Sequence, residues 1–370
     1  MTPPKHKVAI IGSTGRGDYG HGLDGVWKTL PECEVVGVAD ADAAGRAKAI
    51  ERTGAARGYA DYREMLDKER PQIVAVCPRW VDQHRDMALA CAEYGCHMYM
   101  EKPLCRTVGE ADELTRACEM RHLKVAVAHL SRYSPVLTQV KRLIADGIIG
   151  EVLEIRARGK EDARGGAEDL WVLGTHVLDL MCALAGTPET CFATLYEGKQ
   201  RAQPEQIRPG NEGLGPLLGT RVDATYRFPN GITGYFNSQK GAGGNPNRFG
   251  LRVYGSKGVI DLMSGYARPA YLIQDPLWGG PKVTAKWQPI TSHGLDQPET
   301  ITDLDYAGVH PVAARDLIDS IEKGREPLCS IHHARTAVEM VLAVFESHRS
   351  GQAVSLPLAR SEHPLAGWKS

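Results

Sequence analysis

Over the first third of the chain, short apolar runs alternate with amphipathic segments. The runs are "KVAIIG", "CEVVGVAD", "PQIVAVCP", "HMYMEKP" and "KVAVAHL". Between them, "AAGRAKAIERTG", "VDQHRDMALACAEYG" and "TVGEADELTRACEMRH" space their apolar residues as helices do, the first closing on Gly54. After the first run, a segment extends to Leu30. Buried strands separated by helices predict an α/β domain with a doubly wound parallel sheet.

Past about residue 127 the pattern changes. "PVLTQVKRLIADG" has proline near its start and glycine just past its end, which predicts a helix over 134–146. A second helix is expected over roughly 170–185. "GTRVDATYRFPNGITGYFNSQKG" and "RFGLRVYGSKGVIDLM" read as hairpins around "PNG" and "GSKG". Two late helices end at glycine, "HPVAARDLIDSIEKG" and "HHARTAVEMVLAVFESHRSG". Together these predict a C-terminal α+β domain with a mostly antiparallel sheet, and a division into residues 1–127 and 128–370. The stretch at about 200–216 reads as a long loop.

A chain of 370 residues exceeds one ordinary core, in keeping with two domains. Its 44 basic residues nearly balance 45 acidic ones, and no basic block stands out, which argues against nucleic acid as a partner. No apolar run approaches the ~20 residues of a membrane span, and the N-terminus lacks a signal-peptide pattern. Nine cysteines at irregular spacings, without a CxxC pair, fit reduced thiols in a cytoplasmic protein.

Candidate chemistry begins at "VAIIGSTGRGDYG", a strand–turn–helix context for a dinucleotide. Gly12 would make the tight turn and Gly17 the close helix–sheet approach. Backbone amides of Ser13, Thr14, Gly15 and Arg16 would face a pyrophosphate. Thr14 stands where the usual motif has its middle glycine, so its Cβ competes for the phosphate's space. Asp40, ending the second run, is placed to accept from a ribose, and Ala41 after it favours NAD over NADP.

In "MYMEKPLC", Pro103 forces Lys102 out of helical backbone and so fixes where its amine points. Further on, "GTHVLDLM" sets His176 and Asp179 three apart on a predicted helix, hence on one face. The pair reads either as a proton-transfer group with its partner or as a satisfied buried pair. His332 and His333 are adjacent on a helix and diverge by ~100°, so no metal site is assigned.

Taken together, "VAIIGSTGRG", "VVGVAD", "CPRWVDQH", "GCHMYMEKPL", "SRYSP", "GIIGEV", "GTHVLDLM", "RVYGSKGVIDL" and "ARDLIDSIEKGREP" resemble the Gfo/Idh/MocA oxidoreductase family across nearly the whole chain. The resemblance implies an N-terminal Rossmann domain and a C-terminal domain whose large open sheet commonly makes homo-oligomer contacts. It also implies sugar or cyclitol substrates. Lys102 would lie beside the nicotinamide and contact the reacting hydroxyl, its bond to Pro103 able to be cis. Glu101 would pair with Lys102, the backbone or the cofactor. Cys77 and Pro78 would form the turn under the nicotinamide ribose, with His84 approaching the cofactor. Arg79 and Trp80 either line the site or pack. Arg132, Tyr133, Lys160, Trp171, His176 and Asp179 are the candidate substrate-site residues, Tyr133 equally a core residue. The "YGHG" loop carrying His21 is a possible ligand contact.

One departure concerns mechanism. Many family dehydrogenases carry an aspartate four residues before the histidine, and here that position is Val172. Glu161, Asp162, Glu168 and Asp169 are the nearby carboxylates that would substitute. The expected function is NAD-dependent oxidation or reduction of a sugar, glycoside or cyclitol hydroxyl. Lys102 would orient the oxygen and His176 serve as general acid/base. The alternatives are a redox-neutral glycosidase or epimerase working through transient oxidation, and a non-catalytic sugar- or partner-binding protein.

Overall fold

A computed structural model describes residues 6–244, 248–280, 284–303 and 308–369. The chain divides into two compact units. Met1–Ala128, Asn211–Gly215 and Ala307–Arg335 form the first, and His129–Gly210, Pro216–Tyr306 and Thr336–Ser370 the second.

The first unit is built on six parallel strands, β1 (His6–Ile11), β2 (Cys33–Ala39), β3 (Arg57–Tyr59), β4 (Ile73–Val76), β5 (His97–Met100) and β6 (Val125–Val127). Their order is β3-β2-β1-β4-β5-β6, so the winding reverses between β1 and β4. At such a reversal the loops leaving the carboxyl ends of neighbouring strands part, which opens a crevice for ligands. Val8–Ile11 and all of β4 are buried, as a sheet covered on both faces requires.

Helices α1 (Ala43–Thr53), α2 (Tyr62–Glu69), α3 (His84–Glu93) and α4 (Val108–Glu119) follow β2, β3, β4 and β5. Local sequence sets their ends. Asp42 accepts from Gly45 N at 2.6 Å to start α1, and Gly54, at φ 72°, ends it in left-handed backbone. Thr107 caps α4 through Glu110 N. The expected helix after β1 is absent: the chain runs through turns to a short 3-10 turn, Gly25–Thr29. The glycine-rich, polar "GSTGRGDYGHGLDG" offers no apolar stripe to bury, and the turn is held instead by Trp27, buried edge-on to Tyr99 at 6.1 Å.

In the second unit, α5 (Pro135–Ala145) starts with Pro135 and the Ser134 cap. β7 (Val152–Arg158) follows. Ala167–Asp169 then leads into a π turn, Leu170–Gly174, and on into α6 (Thr175–Ala185). The other principal strands are β8 (Thr190–Glu197), β9 (Arg221–Arg227), β10 (Thr233–Gln239), β11 (Gly250–Gly255), β12 (Gly258–Met263), β13 (Ala270–Ile273) and β14 (Gln288–Thr291). They lie in the order β14-β13-β12-β11-β7-β10-β9-β8 within an eleven-stranded sheet completed by two-residue strands. β7 pairs parallel with β10, and the remaining pairings among the described residues are antiparallel.

Side chains alternate across this sheet. Cys191, Ala193 and Leu195 of β8 are buried, while Phe192 points the other way and is half exposed. The 200–216 stretch is not a plain loop: Gln200–Arg201 pairs with β8, and Arg208–Pro209 with Pro216–Leu217. Among the described residues no helix is long and apolar enough to cross a membrane.

Candidate active-site residues

In the first unit a cavity of about 540 Å³ opens at the ends of β1 and β2. It is lined by Gly12–Thr14, Arg16, Asp40–Asp42, Ala60–Arg63, Gln83 and Met87. Asp40 accepts Thr14 N at 3.1 Å, Thr14 Oγ1 at 2.7 Å and Asp42 N at 3.0 Å. Thr14 therefore turns its side chain onto Asp40 and over Gly45 of α1, where an added Cβ would lie 1.9 Å from Thr14 Oγ1. A glycine in α1 makes room for the residue that replaces a glycine in the loop.

The loop departs from the expected amide cradle. Ser13 N donates to Asp18 O, Thr14 N to Asp40, Gly15 N to Asp18 Oδ1 and Arg16 N to Ser13 O. All four amides are committed within the protein, because the loop folds back on itself through Asp18 instead of opening into a helix N-terminus. Gly15, at φ 80°, has open space where its Cβ would stand. Gly12 lies under the Tyr19 ring, and Gly17 packs on the main chain of Arg79 and Trp80, not on a helix. Burial, and then the neighbouring Asp40 carboxylate, raise the Tyr19 hydroxyl pKa. The Arg16 guanidinium stacks on Trp80 at 4.6 Å and pairs with Asp82, so Trp80 packs against the loop.

Cys77 and Pro78 form a buried turn after β4, and burial pushes the Cys77 thiol well up. His84 is fully buried. Its Nε2 lies 2.6 Å from Pro78 O and its Nδ1 2.8 Å from Pro103 O. The ring braces the two segments that follow β4 and β5.

The Lys102–Pro103 bond is cis, and both Glu101 and Lys102 are buried. Burial pushes the Glu101 carboxyl up, but the His21 hydrogen bond and charge, with the Lys102 charge, outweigh it and hold the pKa at about 2. His21 Nδ1 lies 2.6 Å from Glu101 Oε1. Glu101 Oε2 accepts the main-chain N–H of Lys102 at 2.9 Å.

In the second unit, His176 is buried next to the π turn, with His129 edge-on at 5.7 Å and Phe249 at 6.4 Å. Asp179 stands one turn on. Its carboxylate takes Arg132 Nε at 2.9 and 3.0 Å and Arg132 Nη2 at 2.7 Å, in a fork held at about the same depth as the core. Arg132 and Asp179 are thus brought together as an ion pair, and Tyr133 is buried beside them in the same 3-10 turn.

Trp171 is fully buried and stacked on His363 at 6.4 Å, as a core residue is. Lys160 lies beyond β7, 3.9 Å from Asp162.

The carboxylates considered as substitutes at Val172 are largely occupied. Glu161 pairs with Arg158 at 2.5 Å and Arg248 at 2.9 Å, and Asp162 with Arg164 at 2.7 Å. Asp169 receives Ser238 Oγ at 2.5 Å and Glu161 N at 3.0 Å, and burial raises its pKa against those bonds. His129 and Phe249 went unread in the sequence. A histidine closing the last strand of a parallel sheet was the available signal for His129, and nothing marked Phe249.

The matching family models cover both halves of the chain. "Oxidoreductase family, NAD-binding Rossmann fold" matches residues 6–129, and "Oxidoreductase family, C-terminal alpha/beta domain" matches 141–356. Levoglucosan dehydrogenase of Pseudarthrobacter phenanthrenivorans is 26% identical over 256 residues, 62% of this chain and 65% of its own. The scyllo-inositol 2-dehydrogenase (NADP(+)) of Bacillus subtilis is 22% identical over 285 residues, 74% of this chain and 76% of its own. Among solved structures, levoglucosan dehydrogenase in complex with NADH and levoglucosan superposes with a TM-score of 0.78 at 21% identity, covering 95% of this chain and 100% of that one. With both domain models matched in sequence order over most of its length, this chain belongs to the Gfo/Idh/MocA oxidoreductase family.

Proposed function

We propose that the protein is an NAD-dependent dehydrogenase acting on a hydroxyl of a sugar, glycoside or cyclitol. The observation that carries this reading is the pairing, within one unit, of the cavity at β1 and β2 with the buried Glu101–Lys102–Pro103 turn after β5. The cavity fits the adenosine half of a dinucleotide: Asp40 stands at its rim as a hydroxyl acceptor, and Gly15 leaves the phosphate approach open. Asp40 and Asp42 side by side disfavour a 2′-phosphate, which supports NAD over NADP. When bound, the nicotinamide accepts or returns hydride at the carbinol carbon.

The chain's own residues handle the oxygen and its proton. Loss of hydride from a carbinol leaves positive character on oxygen unless the hydroxyl proton leaves too. Lys102 holds that oxygen through its ammonium and favours the alkoxide-like form. His176 takes the proton, a task suited to a side chain that ordinarily titrates near neutrality. Asp179 and Arg132 anchor the helix that carries the imidazole. The relatives' names, levoglucosan dehydrogenase and scyllo-inositol 2-dehydrogenase, support the substrate class.

We also propose that the face of the large sheet bearing Phe192 and Tyr271, both half exposed, associates with a second copy of the chain in the cytoplasm. Light scattering on purified protein tests this, a monomer at micromolar concentration counting against it.

The main test is calorimetric titration with NAD⁺ and NADP⁺, followed by NADH formation across a panel of sugars, glycosides and cyclitols. NAD⁺ should bind at least about tenfold tighter, an effect of one like charge on the 2′-phosphate. Lys102→Ala and His176→Ala should each lower kcat by about 10²-fold or more while NAD⁺ affinity holds. Retained NAD with substrate turnover and no net NADH would replace the reading with redox-neutral chemistry, and absence of dinucleotide binding would end it.

A further inference from the structure

We propose that His21 is a positioning residue: by pairing with Glu101 it holds the buried carboxylate in place and, through it, the backbone and amine of Lys102. The inference rests on the reading of Lys102 as the amine that meets the substrate oxygen.

Glu101 is 1% exposed, and a carboxylate at that depth persists only if its oxygens are matched. Among the described residues, its hydrogen bonds come from two places. The His21 loop supplies a main-chain N–H at 3.1 Å and Nδ1 at 2.6 Å, both to Oε1. Lys102 supplies its own main-chain N–H at 2.9 Å to Oε2. The carboxylate therefore bridges the loop and the residue whose side chain is to be aimed.

The loop is shaped for this contact. Gly20, at φ 64°, approaches so closely that an added Cβ would lie 2.5 Å from Cys77 O and 2.7 Å from Glu101 Cγ and Oε1. From the other side, His310 Nε2 donates to His21 O at 3.0 Å, and His310 Nδ1 accepts the Tyr99 hydroxyl at 2.8 Å. That arrangement uses each His310 nitrogen once, as a neutral ring does, and burial lowers the His310 pKa accordingly. Tyr99, His310, His21 and Glu101 thus form one chain of hydrogen bonds ending at the Lys102 amide. The other ionisable groups near Glu101 are accounted for. Asp24 is held by Arg52 at 2.6 Å, and burial keeps the Cys77 thiol protonated.

Half of the His21 side chain is exposed, so the pairing does not exist to hide an imidazole. Its consequence lies at Glu101. Two basic side chains stand near that carboxylate, His21 and Lys102. With His21 in place the carboxylate is matched; without it, the Lys102 ammonium is drawn onto the carboxylate and away from a substrate oxygen.

Two replacements separate positioning from proton transfer. An asparagine amide N–H can stand where Nδ1–H stood, while alanine leaves the carboxylate only the two main-chain N–H groups. In nucleotide-free protein, competitive acetylation with acetic anhydride, read by mass spectrometry against exposed Lys199, measures how available the Lys102 amine is. His21→Ala should slow Lys102 labelling at least fivefold, and His21→Asn should restore it to within twofold. In turnover, His21→Ala should lower kcat at least tenfold with NAD⁺ affinity within threefold, and His21→Asn should recover most of the loss. Unchanged labelling in His21→Ala overturns the proposal, as does a kcat unaffected by that substitution. An asparagine variant as impaired as alanine overturns it too, since the imidazole itself would then be needed. The labelling needs neither substrate nor cofactor, so it judges His21 even if the dehydrogenase reading fails.

Discussion

Gly45 sits in the first turn of α1, where alanine would ordinarily favour folding by about 0.5 kcal/mol. Here the new Cβ would stand 1.9 Å from Thr14 Oγ1 and 2.7 Å from Thr14 Cβ. Rotation of the hydroxyl alone does not relieve the second contact, so Thr14 must leave Asp40. The lost bond to the buried Asp40 carboxylate is worth about 1.5 kcal/mol. Crowding of the loop adds about 1 kcal/mol. Subtracting the helix gain, Gly45→Ala should destabilise the protein by about 2 kcal/mol. After Thr14→Gly the obstacle is gone, and the same alanine should stabilise by about 0.5 kcal/mol, a coupling of about 2.5 kcal/mol. Urea unfolding of the four proteins, followed by tryptophan fluorescence and paired with NAD⁺ titration, measures the cycle. Additivity to within about 0.5 kcal/mol would refute the claim that Gly45 makes room for Thr14.

The Arg132–Asp179 pair gives a second test. Asp179→Ala takes the carboxylate from a largely buried guanidinium and should cost about 3–5 kcal/mol, whereas Arg132→Met with Asp179→Leu should cost less than either single change. Thermal melting decides, and a single substitution within 1 °C of wild type would contradict the buried pair. His363, stacked on Trp171 and tilted against Phe345, has its pKa lowered to about 4 by burial. The unfolded value is about 6.5, so the folded ring stays neutral where the unfolded one gains a proton. Its contribution is complete above pH ~6.5 and is lost as pH falls toward 4, up to about 3 kcal/mol. His363→Phe keeps the stacking and should flatten the melting temperature between pH 6.5 and 4; an unaltered slope would show that the ring does not titrate there.

Much of the fold was legible because its strands are buried on both faces and announce themselves as unbroken apolar runs. β3 and α2 were not. β3 has three residues, and α2 buries little beyond Met65 and Leu66 on an otherwise charged surface. The missing helix after β1 was misread because a dinucleotide motif implies one, although the glycines and polar residues that follow cannot form an apolar stripe. Lys102, His176 and Asp40 were proposed from local context alone. The compensation of Thr14 by Gly45 could not be, since it joins residues on separate elements. Likewise, Glu161 looked available until Arg248, far along the chain, proved to hold it. Ion pairs of that kind carry no local signature.

The π turn at Leu170–Gly174 means that one surplus residue is wound into the approach to His176. Excising a single residue there would let the segment relax into ordinary helical phase, and everything upstream would swing by ~100° relative to the imidazole. The register between Asp169, tied to the end of β7, and His176 is therefore a matter of counting, and an indel of one position would be felt as a rotation where a simple shortening might have been assumed.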